Sequence, residues 1–304
     1  MNKQIVAHLC ASLAVIFWGL TFVASKLLLD VGASPFEILL LRFGFAWIFL
    51  TILCPKGLAF KGFNRQSFKQ ELPFAICGFF GTSLYFLAEN TALCYTLTSH
   101  VGVISSTAPF LTGLLFWLWY KQKPTKWFFV GFVCAFLGLI LVATNGKLSL
   151  EELFLLGENP LLGDFLVLLA AGTWAIYCLG MREIERQGLG SLNPLAMTKR
   201  IFFWGLVSIF MLCPAMGFDI SWFSFSPTTI GSLLFLALFG SSLCYVIWNY
   251  AISVLGEVKT SLYIYCIPVV TLVASYFVLG ERIAALAYLG IVCILLGLFI
   301  SGKS

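Results

Sequence analysis

The sequence predicts an all-α integral membrane protein: ten transmembrane helices arranged as two inverted five-helix repeats, with the N- and C-termini cytoplasmic. Three observations carry this reading. Hydrophobic residues make up 61% of the 304 and charged residues only 10%, against about 45–50% and about 25% in soluble domains, too few charges for a surface in water. Apolar runs recur along the chain, and many reach the ~17 to 25 residues that a helix needs to cross the hydrocarbon core. A shift of 159 residues, the separation of Asn90 from Asn249, lays one half of the chain on the other. It pairs Phe80, Gly81, Ser83, Leu84, Asn90 and Ala92 with Phe239, Gly240, Ser242, Leu243, Asn249 and Ala251, and Pro109 and Thr112 with Pro268 and Thr271. Shared hydrophobicity does not explain coincident Asn, Pro and Gly. Five helices per half is an odd number, so the second half enters the membrane from the opposite side.

Each span follows in order. The first, Ile5 to Ser25, is too long for a signal peptide and lacks an A-x-A-like cleavage site; it presents Trp18, Thr21 and Ser25. The second, Phe36 to Cys54, carries Arg42 about 10 Å in from its outer end at 1.5 Å per residue, while Lys26 and Glu37 lie at helix ends and are expected to snorkel. The third, Pro73 to Leu97, sets Thr82, Tyr85 and Glu89 on one face, with Ser83, Phe86 and Asn90 beside them. Glu89 lies about as deep as Arg42. An isolated ion there costs ~2.5–3.5 kcal/mol on insertion scales, so the two are expected to form an intramembrane ion pair, with a Glu89 that carries a proton or contacts a substrate amine, or no contact at all, as the alternatives.

The fourth span, Val101 to Tyr120, has Pro109 near its middle, where a proline leaves the carbonyl of Ser105 without its donor; His100 falls in the loop before it and is expected to be solvated. The fifth, Trp127 to Ala143, bears the small-residue stripe Gly131, Cys134 and Gly138, a packing layer or else a homodimer contact. Residues 1–144 thus form the first repeat, 145–160 an extracytoplasmic linker and 161–304 the second repeat. In it, Leu161 to Met181 presents Trp174 and Tyr177, and Pro194 to Met216 carries Lys199 and Arg200. Ile230 to Ile252 sets Ser242, Tyr245 and Asn249 on one face. Ser261 to Leu279 holds Tyr265 and Pro268, the second proline leaving the carbonyl of Ile264 free. Ala284 to Ser301 repeats the stripe as Gly290, Cys293 and Gly297. The expected substrate cavity comprises Trp18, Thr21, Tyr85, Glu89, Asn90, Pro109, Trp174, Tyr177, Ser242, Tyr245, Asn249, Tyr265 and Pro268, an aromatic and polar lining suited to a small molecule.

Orientation follows from the basic residues of the connections. With the N-terminus inside, fourteen Lys and Arg fall on the cytoplasmic side, among them Arg65, Lys69, Lys123 and Lys259, against Lys26, Lys147 and Arg282 outside. The net charge of +5 is therefore a topology signal, and no nucleic-acid partner is expected. The ten cysteines lie in or beside apolar runs without metal-ligand spacing. Neither disulfide, metal nor cofactor is expected.

Phe17 to Lys26, with Pro35 and Arg42, is similar to the first helix pair of the EamA family of the drug/metabolite transporter superfamily. Gly163 and Asp164 followed by Trp174, Ala175 and Tyr177 resemble the start of that family's second copy, and Leu279, Gly280, Glu281 and Arg282 its penultimate helix end. The first half departs from the pattern at Gln122 and Lys123, where a Glu-Arg pair is usual. That favours a helix-end cap over a coupling role for Glu281 and Arg282. The resemblance implies export or exchange of small metabolites such as amino acids.

Inverted repeats are the mark of alternating-access transporters, with the site at the repeat interface near the midplane. A secondary transporter of a small polar metabolite in a bacterial inner membrane is the leading expectation, with the lipid bilayer, a coupled proton or a counter-substrate as partners, working as monomer or homodimer. A sugar-nucleotide or phosphorylated-metabolite exchanger is the alternative; it needs several cavity cations, and only Arg42, Lys199 and Arg200 are candidates. A non-transporting structural or sensory subunit is the alternative from another class. No phosphate loop and no H-E-x-x-H spacing occurs, so neither ATP hydrolysis by that route nor zinc-protease chemistry is expected.

Overall fold

Side-chain caps mark where several of the helices begin. A computed structural model of the chain describes residues 2–55, 65–121, 123–143, 159–189, 193–223, 225–280 and 285–301, and all regular structure among them is helical. Lys56, Lys61, Gln122, Lys147, Glu281, Arg282, Lys303 and most of the 145–160 linker lie outside the described residues. Asn2 caps α1 (Lys3–Asp30) by accepting from the Gln4 N–H. The helix outruns the expected Ser25 because the apolar run continues through Leu27, Leu28 and Leu29, with Leu28 buried, and Lys26 and Asp30 pair one turn apart at 3.0 Å. Ser34 and Glu37 form a reciprocal capping box at the start of α2 (Pro35–Leu53). The second Glu37 oxygen accepts from the Asp219 N–H at 2.8 Å. Glu37 is thereby buried and does not snorkel.

Two helices change gauge inside the bundle. In α3, Arg65–Gly78 passes through a π-helical stretch, Phe79–Leu84, into Tyr85–Tyr95. In α8 (Pro227–Leu255), Pro227–Leu234 passes through the π-helical Phe235–Leu243 into Cys244–Leu255. A π turn loosens the regular carbonyl pairing, and nearby hydroxyls take up the released acceptors. Ser83 reaches the Gly78 carbonyl at 3.5 Å and Ser242 the Ala237 carbonyl at 2.9 Å, each five residues back.

Two further helices are broken. In α4 (Thr98–Tyr120) a turn at Ser106 and Thr107 separates Thr98–Ser105 from Ala108–Tyr120, and Pro109 stands in the first turn of the second piece, where no donor is required. In α9 (Glu257–Leu279) a 3-10 stretch, Leu262–Cys266, precedes Ile267–Leu279, and Pro268 stands likewise. The two breaks meet, because the Ser106 hydroxyl donates to the Ile264 carbonyl at 3.4 Å. That is the carbonyl Pro268 was expected to strand.

The remaining helices are α5 (Lys126–Ala143), α6 (Pro160–Arg186), α7 (Pro194–Met216) and α10 (Ala285–Ser301). Eight helices, all except α5 and α10, are long and apolar enough to cross a membrane; the other two contain shorter apolar stretches. The α5 and α10 pair touches backbone to backbone: a Cβ on Gly138 would stand 2.5 Å from the Gly290 carbonyl, and one on Gly297 would stand 2.5 Å from that of Gly131. Elsewhere α1 lies against α8 and α9, while α6 lies against α3 and α4. Between them sits the aromatic core of Trp18, Phe43, Phe86, Trp174, Tyr177, Phe202, Tyr245 and Trp248. Large apolar side chains such as Phe45, Ile52, Trp119, Phe165, Phe277 and Phe299 cover the outside, as lipid requires.

Candidate functional site

A cavity opens where α1, α3, α4, α6 and α9 converge near the two helix breaks. Trp18, Thr21 and Phe22 of α1 line it with Tyr85, Phe86 and Glu89 of α3, Ser105 and Ala108 of α4, Trp174 of α6, and Ile264 and Ile267 of α9. Its volume is about 20 Å³ within about 370 Å³ of interatomic space, room for about one water. Bound small molecules need hundreds of Å³, so the rings are closed in.

Each ring is held from behind. The Trp18 Nε1–H donates to the Gly240 carbonyl at 3.0 Å. Trp18 meets Trp174 edge-on at 5.3 Å and leans on Trp248 at 4.8 Å. Trp174 stacks on Tyr177 at 4.7 Å and tilts against Tyr85 at 5.4 Å. The Tyr177 hydroxyl donates to the Asn249 Oδ1 at 2.5 Å, and the Asn249 amide donates to the Thr198 hydroxyl at 3.0 Å. The Tyr245 hydroxyl donates to the Gly81 carbonyl. The glycine at 81 is required by this packing, since a Cβ there would stand 2.2 Å from the Tyr177 ring. Two buried polar groups on the cavity wall, Trp174 Nε1–H and the Ser105 hydroxyl, have no hydrogen-bond partner.

Of the residues expected to share one cavity, Trp18, Thr21, Tyr85, Glu89 and Trp174 line it. Tyr177, Tyr245 and Asn249 stand behind the wall and brace it. Ser242 and Asn90 bond to the carbonyls of Ala46 and Pro35. Pro109 and Pro268 begin the second halves of their helices, and Tyr265 belongs to a separate cluster with Val103, Leu272 and Ile294. Shared helical faces gave direction but not depth. The apolar wall residues Phe22, Ala108, Ile264 and Ile267 carried no signal that distinguishes them from lipid-facing residues. Ser105 was visible only as the carbonyl four residues before Pro109.

The expected ion pair is not formed. Arg42, fully buried, donates from Nε to the Ser241 hydroxyl at 2.6 Å and from Nη2 to the Gly240 carbonyl at 3.1 Å, and its guanidinium lies 4.0 Å from the centre of the Phe86 ring. Its Nη1 has no hydrogen-bond partner. Among the described residues Glu89 has no Lys, Arg or His within ion-pair distance, and it is only 2% exposed. Carbonyl and hydroxyl groups on α8 take the Nε and Nη2 donors, and the carboxylate on α3 stays beyond ion-pair distance.

The other cations are engaged elsewhere. Lys199 donates to the Cys54 carbonyl at 2.8 Å, and Arg200 pairs with Glu71, which also accepts from the Trp204 Nε1–H at 2.9 Å. No Lys or Arg lines the cavity. His100, expected in solvent, is 3% exposed because α4 starts earlier, at Thr98; its Nδ1 stands 3.9 Å from the Asp164 carboxylate. Among the described residues no group of three His, Cys, Asp or Glu side chains is placed to hold a metal. A second cavity, of about 270 Å³, lies between α4, α5, α9 and α10 with exposed Lys123 and Lys259 on its rim.

A family model described as the EamA-like transporter family matches residues 5–144 and 161–302. The "Uncharacterized transporter YyaM" of Bacillus subtilis is 30% identical over 285 residues, 93% of this chain and 88% of the relative. An "Uncharacterized transporter" of Archaeoglobus fulgidus is 27% identical over 99% of this chain and 98% of its own. A protein of Streptantibioticus cattleyicolor named "Probable terminal-alkyne amino-acid exporter" is 25% identical, covering 91% of this chain and 87% of that one. A solved crystal structure shares the fold at a TM-score of 0.68 and 16% identity, over 97% of this chain and 96% of the other. The family model covers both stretches that supply the cavity helices, and the chain belongs to the EamA-like transporter family of multi-pass membrane transporters.

Proposed function

We propose that the protein exports or exchanges a small polar metabolite, an amino acid or a molecule like it, across a bacterial cell membrane by alternating access. All ten helices span the bilayer in this reading, the two halves are inverted repeats, and both termini lie in the cytoplasm. The observation that carries it is the pair of meeting breaks in α4 and α9 beside a closed polar and aromatic cavity. Irregular backbone at membrane depth is tolerated only against protein or a cavity, and corresponding breaks in the two halves point to the transport site. Support for the repeat comes from matching positions. Under the 159-residue shift, the Ser83 bond to Gly78 falls on the Ser242 bond to Ala237. The exporter name of the Streptantibioticus cattleyicolor relative favours an amino acid-like cargo.

The sugar-nucleotide or phosphate alternative loses ground, because Lys199 and Arg200 are engaged elsewhere and Arg42, behind the Phe86 wall, donates to Ser241 and Gly240. Purified protein in liposomes loaded with a panel of labelled amino acids and other metabolites tests the proposal. Counterflow of at least one compound, abolished by Trp174→Ala in a folded variant, is expected. Absence of protein-dependent flux across the whole panel would favour a structural or sensory subunit instead.

A further inference from the structure

We infer that the cavity is a site for an ammonium group: the rings of Trp18, Tyr85 and Trp174 flank the cationic nitrogen and the Glu89 carboxylate neutralises it. The inference rests on the transporter reading and names the chemistry its substrate must carry.

Glu89 is the single carboxylate of the lining, is 2% exposed, and has no cation within ion-pair distance among the described residues. A carboxylate at membrane depth needs a partner. The protein itself supplies two neighbours short of an ion pair: the Tyr85 hydroxyl bonds the carboxylate, and Arg42, whose hydrogen bonds go to Ser241 and Gly240 and whose guanidinium lies on the Phe86 ring, attracts it from beyond ion-pair distance. A direct ion pair is therefore left for the substrate to complete. The rings around Glu89 suit a cationic partner. Trp18 meets Trp174 edge-on at 85° and Tyr85 tilts against Trp174 at 56°, and all three rings line the space beside Glu89. Aromatic faces attract a cation through the ring quadrupole, and aromatic cages recognise ammonium ligands.

The lining also excludes. With no Lys or Arg in the wall itself and Arg42 set behind Phe86, a phosphate or a lone carboxylate would meet the Glu89 charge without a cation in direct contact. The unpartnered Trp174 Nε1–H and Ser105 hydroxyl offer neutral hydrogen bonds to a polar tail. A free organic amine and the amino end of a zwitterion share the required group. Because the closed space admits about one water, the ligand must part the rings on entry, which exposes it to the tryptophans.

The test uses purified full-length protein in detergent and reads quenching of tryptophan fluorescence by four probes with one ring in common: benzylamine, phenylalanine, benzyl alcohol and benzoate. At least one of the two ammonium probes is expected to bind about tenfold or more tighter than the alcohol and the benzoate. Benzylamine alone marks an amine site and phenylalanine alone a zwitterion site. Glu89→Gln is expected to erase the preference while keeping the fold. If that variant does not fold, Trp174→Leu is expected to weaken the ammonium probe selectively, and the wild-type preference still decides. Equal binding of benzyl alcohol, no binding of either ammonium probe, or an unchanged preference in folded Glu89→Gln overturns the inference. Liposomes that move a neutral or acidic metabolite without binding an ammonium probe would overturn the inference alone. Ammonium binding without any flux would overturn the transport reading and leave the site standing.

Discussion

Arg42 shows how a single buried cation is accommodated without a carboxylate. Its guanidinium needs a planar fork to reach Ser241 and Gly240 together while lying on Phe86, a geometry that a lysine ammonium does not reproduce. Arg42→Lys is expected to destabilise the protein by about 1–3 kcal/mol, because a compact, strongly hydrated charge is buried with fewer partners. Arg42→Met, which removes the charge and keeps an apolar stem, is expected to cost less. Thermal denaturation in detergent checks both, and equal melting of Arg42→Lys and wild type would refute the account. At this scale the sequence was legible where polar or aromatic residues interrupt apolar runs, as with Trp18, Tyr85, Glu89 and Trp174. Partner choice was not legible. That Arg42 takes a carbonyl on α8 in preference to Glu89 depends on how two helices cross, which side-chain spacing along either helix does not encode.

The elements divide into a working set around the cavity and a supporting pair. Helices α5 and α10 meet through Gly131, Gly138 and Gly297 so closely that a side chain has no room. Gly138→Leu is expected to cost at least about 1–3 kcal/mol through overpacking, while ligand affinity at the cavity stays within about twofold of wild type in the protein that remains folded, since neither helix lines the cavity. A large loss of affinity without a loss of melting temperature would contradict this division. The small-residue stripe was legible because glycine spacing on a greasy helix has few other uses. Pro109 and Pro268 likewise announced the breaks. The π-helical stretches of α3 and α8 gave no warning, because Phe79–Leu84 and Phe235–Leu243 contain residues that also fit a regular helix. What holds them is hydroxyl bonding such as that of Ser83 to the Gly205 carbonyl at 2.9 Å, a contact with α7 that exists only after packing.

For the whole molecule, the orientation proposed from the excess of Lys and Arg can be tested by labelling. Single cysteines at the exposed positions Lys123 and Lys259 are expected to react from the cytoplasm, and one at the exposed Ser221 only from outside, in a background without reactive native cysteines. Labelling of Ser221→Cys from the inside would sink the topology. The interlocking of the helices has a mechanical meaning of its own. Helix α1 rests on α8 and α9, and α6 rests on α3 and α4, so each opening helix is swapped onto the other half of the chain. A rocking motion between chain halves would tear both contacts. A motion that keeps these contacts would carry α1 with α8 and α9 and α6 with α3 and α4, and it would have to break the Ser106 bond to the Ile264 carbonyl between α4 and α9.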